Sequence, residues 1–167
     1  KHILVGTDGG VYESRDRGNT FKMWMNLPIS QFYHVSVDNA KPYRVYGGLQ
    51  DNGSWFAPNR SSAGVSNADW EKTYGGDGFY SFRHPTKDNY VFSEYQGGNL
   101  VRYDTETGVA KNIAPYATAD TDPLRYNWNA PIHLSQNGER IYFASQYLFR
   151  SNNEGDSWER ISPDLTT

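Results

Sequence analysis

Apolar and polar positions alternate in short runs along the whole chain, and almost none of it carries the 3.6-residue period of an amphipathic helix. Four runs lie in register: Ile3-Leu4-Val5-Gly6, Val45-Tyr46-Gly47-Gly48, Val91-Phe92-Ser93-Glu94 and Ile141-Tyr142-Phe143-Ala144. With Leu4, Tyr46, Phe92 and Tyr142 taken as equivalent, the spacings are 42, 46 and 50 residues. Each run meets a turn: Asp8-Gly9-Gly10, Asp51-Asn52-Gly53, Gly97-Gly98-Asn99 and, less plainly, Ser145-Gln146. Gly and Asn reach positive φ at little steric cost, so these are hairpin signals. Second strands follow at Val11 to Ser14, Ser54 to Phe56, Leu100 to Tyr103 and Leu148 to Ser151.

A further strand precedes three of these pairs, at Phe32 to Val37, Phe79 to Arg83 and Pro131 to Ser135, and the first pair lacks it. A last strand closes every unit, at Phe21 to Asn26, Trp70 to Tyr74, Val109 to Ile113 and Trp158 to Ile161. Each unit is thus an antiparallel meander of strands A, B, C and D. A repeat of about 40 to 50 residues that folds as four strands is the signature of a propeller blade. The expected fold is all-β: a β-propeller segment of about 3.75 blades, divided at residues 1–28 (strands B to D only), 29–75, 76–126 and 127–167. The stretch Pro58 to Asp69 reads as an insertion at the outer edge. Tyr116 to Arg125, with Asp120, Asp122 and Pro123, reads as a rim or lid.

Composition narrows the class. Only 37% of residues are hydrophobic and mean hydropathy is -0.80, yet 16% are aromatic, which excludes a disordered chain and suits strands that bury amphipathic rings. The net charge of -3 comes from 16 basic and 19 acidic residues with no long block of either sign, so no nucleic-acid footprint is present. No apolar run approaches the roughly 20 residues of a membrane span. Cysteine is absent, which removes disulfides and thiolate metal sites.

Two C-to-D turns match each other, Ser14-Arg15-Asp16-Arg17-Gly18-Asn19-Thr20-Phe21 and Ser151-Asn152-Asn153-Glu154-Gly155-Asp156-Ser157-Trp158. In such a turn a side-chain oxygen at Asp16 or Asn153 accepts backbone N–H groups, Gly18 or Gly155 takes positive φ, and Phe21 or Trp158 packs between sheets. Both resemble the Asp-box, with Asn153 in place of the family's Asp, so the chain is similar to Asp-box (BNR) repeat propellers. The Gly-Leu-Gln-Asp-Asn-Gly, Gly-Gly-Asp-Gly and Ile-Ser-Pro-Asp-Leu-Thr stretches look most like bacterial sortilin/VPS10-like and "glycosyl hydrolase, BNR repeat" proteins. That resemblance implies an extracytoplasmic protein and no settled activity. It makes Ser14, Asp16, Gly18, Phe21, Ser151, Asn153, Gly155 and Trp158 structural residues.

The up-and-down topology sends the B-to-C and D-to-A connections to one face and the Asp-box turns to the other. The first face gathers Gln50, Asp51 and Asn52, then Asp77 in its glycine loop, Gln96 and Asn99, and Asn127, Trp128 and Asn129. These are the candidate binding residues. Turn chemistry alone is the competing account of Asp51-Asn52-Gly53 and Gly97-Gly98-Asn99. A glycoside hydrolase would need a carboxylate pair there, and Asp51, Asp77 and Glu94 are the acids available. A sialidase is rejected, because Arg44, Arg83 and Arg102 fall outside that face and only Arg125 reaches it. His2, His34, His84 and His133 lack ligand spacing, so no metal site is read from them. No cofactor is expected, and calcium on Asp51, Asp77 and glycine-loop carbonyls is the one ion the acids suggest.

The leading expectation is a non-enzymatic scaffold for protein or glycan recognition. A xyloglucanase-like hydrolase and purely structural blades are the rivals. An open array exposes aromatic blade faces to water, so the expected partners are the remaining blades of the same polypeptide or of another subunit, besides a protein or glycan ligand.

Overall fold

The computed structural model describes residues 1–27, 29–119 and 121–166. Pro28 and Thr167, which end the first and last expected segments, and Asp120 of the 116–125 stretch lie outside the described residues. The chain divides into two compact units, Lys1–Ser30 and Gln31–Thr167.

The first unit is a three-stranded antiparallel sheet of β1 (Ile3–Thr7), β2 (Gly10–Ser14) and β3 (Lys22–Met23). It has the order of a blade without strand A. Glu13 is buried in it, and hydrogen bonds from Arg15, Trp24 and His2 hold its carboxyl down at about 2 against the cost of burial.

The second unit is three complete blades. Blade 2 comprises β4 (Phe32–Val37), β5 (Arg44–Leu49), β6 (Gly53–Pro58) and β7 (Glu71–Tyr74). Blade 3 comprises β8 (Gly78–Arg83), β9 (Tyr90–Tyr95), β10 (Asn99–Asp104) and β11 (Val109–Asn112). Blade 4 comprises β12 (Ile132–Leu134), β13 (Ile141–Ala144), β14 (Leu148–Ser151) and β15 (Glu159–Arg160). Every sheet pairs in sequence order, so each blade is a meander. The expected 58–69 insertion contains one 3-10 turn, Asn67–Asp69, closed by reciprocal bonds between Ser66 and Asp69.

Strand alternation decides how the blades stack. On β5, Tyr46 lies opposite Phe56 of β6 and both rings meet Val91 and Tyr103 of blade 3. On β9 and β13, Phe92, Ile141 and Phe143 point into the next seam, joined by Leu100, Ile113 and Ala130. Polar groups in the seam between blades 2 and 3 find partners, since a buried donor or acceptor left alone is costly: Ser36 donates to the Ser81 carbonyl at 2.7 Å, and Thr73 and Ser93 hydroxyls meet at 2.8 Å. Arg83 of β8 reaches across to Asp38, which also takes the Tyr46 hydroxyl.

The outer faces of this three-blade unit differ. Val35 and Val37 on β4 point away from blade 3 and are exposed. Blade 4 instead presents Tyr142 and an Arg150–Glu159 ion pair at 2.7 Å.

The two matched turns have one geometry with two chemistries. In the first, Asp16 Oδ1 accepts the Ser14 hydroxyl and the Thr20 N–H at 2.8 and 2.9 Å, and Gly18 N–H donates to Ser14 Oγ at 2.8 Å. In the second, Asn153 Oδ1 accepts from Ser151 and the Ser157 N–H at 3.0 and 2.9 Å, and Gly155 N–H donates to Ser151 Oγ at 2.9 Å. Gly18 and Gly155 sit at φ of 95° and 88°. The carboxylate at 16 is held near 2, first by the Thr20 N–H and then by the Thr20 and Ser14 hydroxyls. Trp158 packs on Phe143 and donates its indole N–H to the Ile113 carbonyl at 2.6 Å. Phe21 departs from the expectation: it stays 49% exposed, because its three-stranded sheet does not cover it.

Candidate functional site

The loops expected on one face are joined into a continuous row. Asp51 N–H donates to Asp77 Oδ1 at 2.6 Å, and Gly53 N–H donates to the Gly76 carbonyl at 2.8 Å. Asp77 N–H in turn donates to Gln96 Oε1 at 2.7 Å, and Gly97 N–H to the Trp128 carbonyl at 3.1 Å. The row thus runs through blades 2, 3 and 4.

Much of the polar chemistry read from the sequence is spent in holding these loops. Asn52 Nδ2 donates to the Gln50 carbonyl, whose own N–H donates to the Gln31 carbonyl. Asn99 Nδ2 donates to the Gln96 carbonyl at 2.8 Å, and Asn127 Oδ1 accepts the Trp128 N–H at 2.6 Å. Gln96 acts as a latch, its side chain gripping the connection that enters its own blade. Gln146, which the sequence places only in a turn, repeats this in blade 4: it accepts the Arg125 N–H at 2.7 Å and donates to the Pro123 carbonyl at 2.9 Å. Positions 50, 96 and 146 share the 46- and 50-residue spacings of the strands, a signal present in the sequence.

The groups left to meet a ligand are few. The Asp51 side chain is exposed at a residue with φ of 60°. The phenol of Tyr33 is pushed up, by burial and then by the charges of Asp77 and Asp51, so these three side chains share one neighbourhood. The Trp128 ring is 58% exposed.

A cleft of about 610 Å³ lies between the Gly97–Asn99 turn and residues 112–117 and 123–126. Its walls include Asn99, Asn112, Pro115, Tyr116, Leu124 and Tyr126, and among the described residues that line it none is charged. Tyr116 is 83% exposed, while Tyr126 is anchored through its hydroxyl to the Pro115 carbonyl at 2.8 Å. The Tyr126 ring lies against Gly98, at φ of 79°, where an added Cβ would stand 2.0 Å from the ring. Tyr116 thus belongs to a cavity wall as well as to the expected rim. Asn112 had no sequence signal apart from its place at the end of strand D, while Tyr126 directly precedes the candidate residues Asn127, Trp128 and Asn129 on the polar face.

Arg125 is engaged with Asp164 and Thr166 at 2.9 and 2.6 Å, which ties the same connection to the C-terminal segment. His84 is a core residue, its Nδ1 accepting the Lys87 N–H and its Nε2 beside the Gly138 carbonyl.

Glu94 differs from the other two acids. It is fully buried at the end of β9, in the seam behind the row, and burial lifts its carboxyl to about 8 against the opposing N–H groups of Ala130 and Tyr80. A carboxyl that keeps its proton at neutral pH has the acidity of a general acid. Its burial leaves no path by which a glycosidic oxygen could reach it. Asp51 and Asp77 are the acids on the surface. Among the described residues no group of three or more His, Cys, Asp or Glu side chains is arranged to hold a metal ion. No helix among them is long and apolar enough to cross a membrane.

Neither a protein-family model nor a curated protein matches the sequence. Solved structures do. The GH74 xyloglucanase of Xanthomonas campestris aligns with 98% of this chain and 28% of its own, at 17% identity and a TM-score of 0.57. The GH74 enzyme of Niastella koreensis aligns with 95% of this chain and 27% of its own, at 13% identity and a TM-score of 0.51. A protein from Lactobacillus plantarum aligns over 96% and 52% at 16% identity, with a TM-score of 0.46. This chain therefore spans little more than a quarter of the two GH74 proteins. At these identities the likeness is one of fold, and it agrees with the strand order: the chain is an all-β propeller segment built of four-stranded antiparallel blades.

Proposed function

We propose that this chain is a non-enzymatic recognition segment of a larger propeller of the Asp-box (BNR) kind, nearest to the bacterial sortilin/VPS10-like proteins, and that it binds a neutral glycan. The observation that carries the reading is the 610 Å³ cleft, whose described lining is two tyrosines, two amides and apolar residues. Cavities of about 300 to 1,000 Å³ suit small ligands. Sugar rings present apolar C–H faces for aromatic walls and hydroxyls for amides, and the described lining residues offer an anionic glycan no cationic partner. Trp128, Asp51 and Asp77 extend the surface along the row. That the structural neighbours include a xyloglucanase supports a glycan over a protein ligand. The reading places the protein outside the cytoplasm. The exposed Val35 and Val37 are to be covered by further blades of the same polypeptide or of another subunit.

The test is binding to a panel of neutral and acidic oligosaccharides. Tyr116→Ala is expected to weaken a neutral ligand about tenfold, the loss of about 1.4 kcal/mol. Equal binding by Tyr116→Ala, or preference for acidic glycans, removes the cleft from the account. The hydrolase reading rests on the likeness to GH74 enzymes. It requires turnover of the bound glycan that disappears in Asp51→Ala or Asp77→Ala.

A further inference from the structure

Two buried oxygens in the seam between blades 3 and 4 have no hydrogen-bond partner, Glu94 Oε2 and Asn129 Oδ1; the Tyr80 N–H faces the Glu94 carboxyl without meeting Oε2 at hydrogen-bond geometry. Buried acceptors are almost always satisfied, so an unpaired couple calls for a cause. The two residues are neighbours, since Glu94 Oε1 accepts the N–H of Ala130, the residue after Asn129, at 3.1 Å. The other end of the same carboxamide, Asn129 Nδ2, stands 3.0 Å from His34 Nε2. The His34 ring is stacked on Tyr80 of β8 with centroids 3.9 Å apart and planes 11° from parallel.

A single proton completes this arrangement. We propose that Glu94 is a positioning residue that carries a proton on Oε2 and donates it to Asn129 Oδ1, while Asn129 Nδ2 donates to the bare Nε2 of His34. The row Glu94–Asn129–His34 then crosses three blades and pins the 127–130 loop, and with it Trp128, onto the scaffold. Removing the proton leaves a carboxylate that only accepts. The carboxamide then turns by half a rotation, so that Nδ2 donates to Glu94 Oε2 and Oδ1 accepts from His34. For that the imidazole proton moves from Nδ1 to Nε2, and the net change is one proton lost to solvent. Both arrangements give Glu94 Oε2 and Asn129 Oδ1 a partner, and the charge on Glu94 selects between them.

Burial acts in the direction the first arrangement needs. It raises Glu94 to about 8 and lowers His34, so at neutral pH both are uncharged. The titratable groups packed against the row are His34 on β4 and the Tyr80 phenol on β8; β8 also contributes the Tyr80 N–H, and the loop entering β12 contributes Asn129 and the Ala130 N–H. No charged side chain contributes to either shift. The consequence for ligand capture rests on the reading of the Trp128 face given above, whereas the proton arrangement does not.

The experiment is an NMR titration of the protein carrying 13C-glutamate and 15N-histidine, from about pH 5.5 to 9.5, with Glu94→Gln used to assign the Glu94 signal. The Glu94 carboxyl carbon is expected to titrate with a midpoint near 8, and the His34 nitrogens to pass from the Nδ1–H to the Nε2–H tautomer at that midpoint. In Glu94→Gln the side-chain N–H replaces the acid proton, so His34 keeps the Nδ1–H tautomer throughout. An ionised Glu94 at pH 6.5, or a His34 tautomer that ignores the Glu94 transition, overturns the proposal. If the transition is present but no glycan binds, the recognition reading fails and the proton arrangement stands.

Discussion

Replacing Glu94 with Gln should remove a pH dependence of stability that wild type carries between about pH 4.5 and 8. The Glu94 side chain is wholly buried, and its carboxyl rises from 4.5 to about 8 because two backbone N–H groups do not offset the loss of water. The unfolded chain therefore releases this proton near 4.5 while the folded chain keeps it to about 8. In that window the unfolded state binds fewer protons, so stability falls as pH rises, by about 1.4 kcal/mol per pH unit. Between pH 5 and 7 the loss is of the order of 3 kcal/mol, a large share of a net stability of about 5 to 15 kcal/mol. Below about 4.5 the stability from this residue is fully present, and above about 8 nothing further is lost. Glu94→Gln is nearly isosteric and does not titrate, so the difference between the two proteins isolates this one group. Urea unfolding followed by tryptophan fluorescence in half-unit pH steps measures it. A difference that stays constant to within about 0.5 kcal/mol from pH 5 to 7.5 would show that Glu94 ionises as freely in the fold as in the open chain, and the reasoning from burial would be wrong.

Three further outcomes are expected. Asn153→Asp should be nearly neutral, because Asp16 makes the equivalent bonds to Ser14 and Thr20, whereas Asn153→Ala should cost about 1 to 2 kcal/mol by denaturant unfolding. Phe143→Ala, at the centre of the blade 3–4 core, should cost about 3 to 5 kcal/mol in the same assay, and a cost under about 1 kcal/mol would contradict the packing. Gly98→Ala should destabilise by about 1 to 3 kcal/mol, because the residue has φ of 79° and its new Cβ would strike Tyr126. It should also weaken any ligand of the adjoining cleft, read by calorimetry against Tyr116→Ala.

The period of the apolar runs was enough to place the strands, since burial on one face of a strand imposes alternation that no loop imitates. Tyr46 and Phe92 are buried where that alternation puts them, whereas of their equivalents Leu4 is exposed and Tyr142 only half-buried, the buried residues of β13 being Ile141 and Phe143. The outermost strands β3 and β15 are only two residues long, shorter than read, because an edge strand pairs on one side and carries less apolar patterning. The polar face was legible from topology, yet the division of labour within it was not. Gln96, Asn99 and Asn127 read alike as turn amides, and only coordinates separate the groups that bind backbone from those that meet solvent. Glu94 looked like a surface acid because its strand ends near the turn. In the fold it meets the N–H of Ala130, a residue 36 positions later, and no local pattern reports such a contact. The cleft was hidden for the same reason, being formed by a connection that lacks any period.

The glutamine latches bear on how such a chain reaches its native state. Gln96 reaches Asp77 and Gln146 reaches Arg125 across 19 and 21 residues, so each blade is fastened by atoms of its own stretch of sequence. Short-range closure loses little chain entropy and favours rapid assembly. A ribosome-bound nascent chain can thus finish one sheet before the next has been translated, each completed sheet serving as the template for its successor.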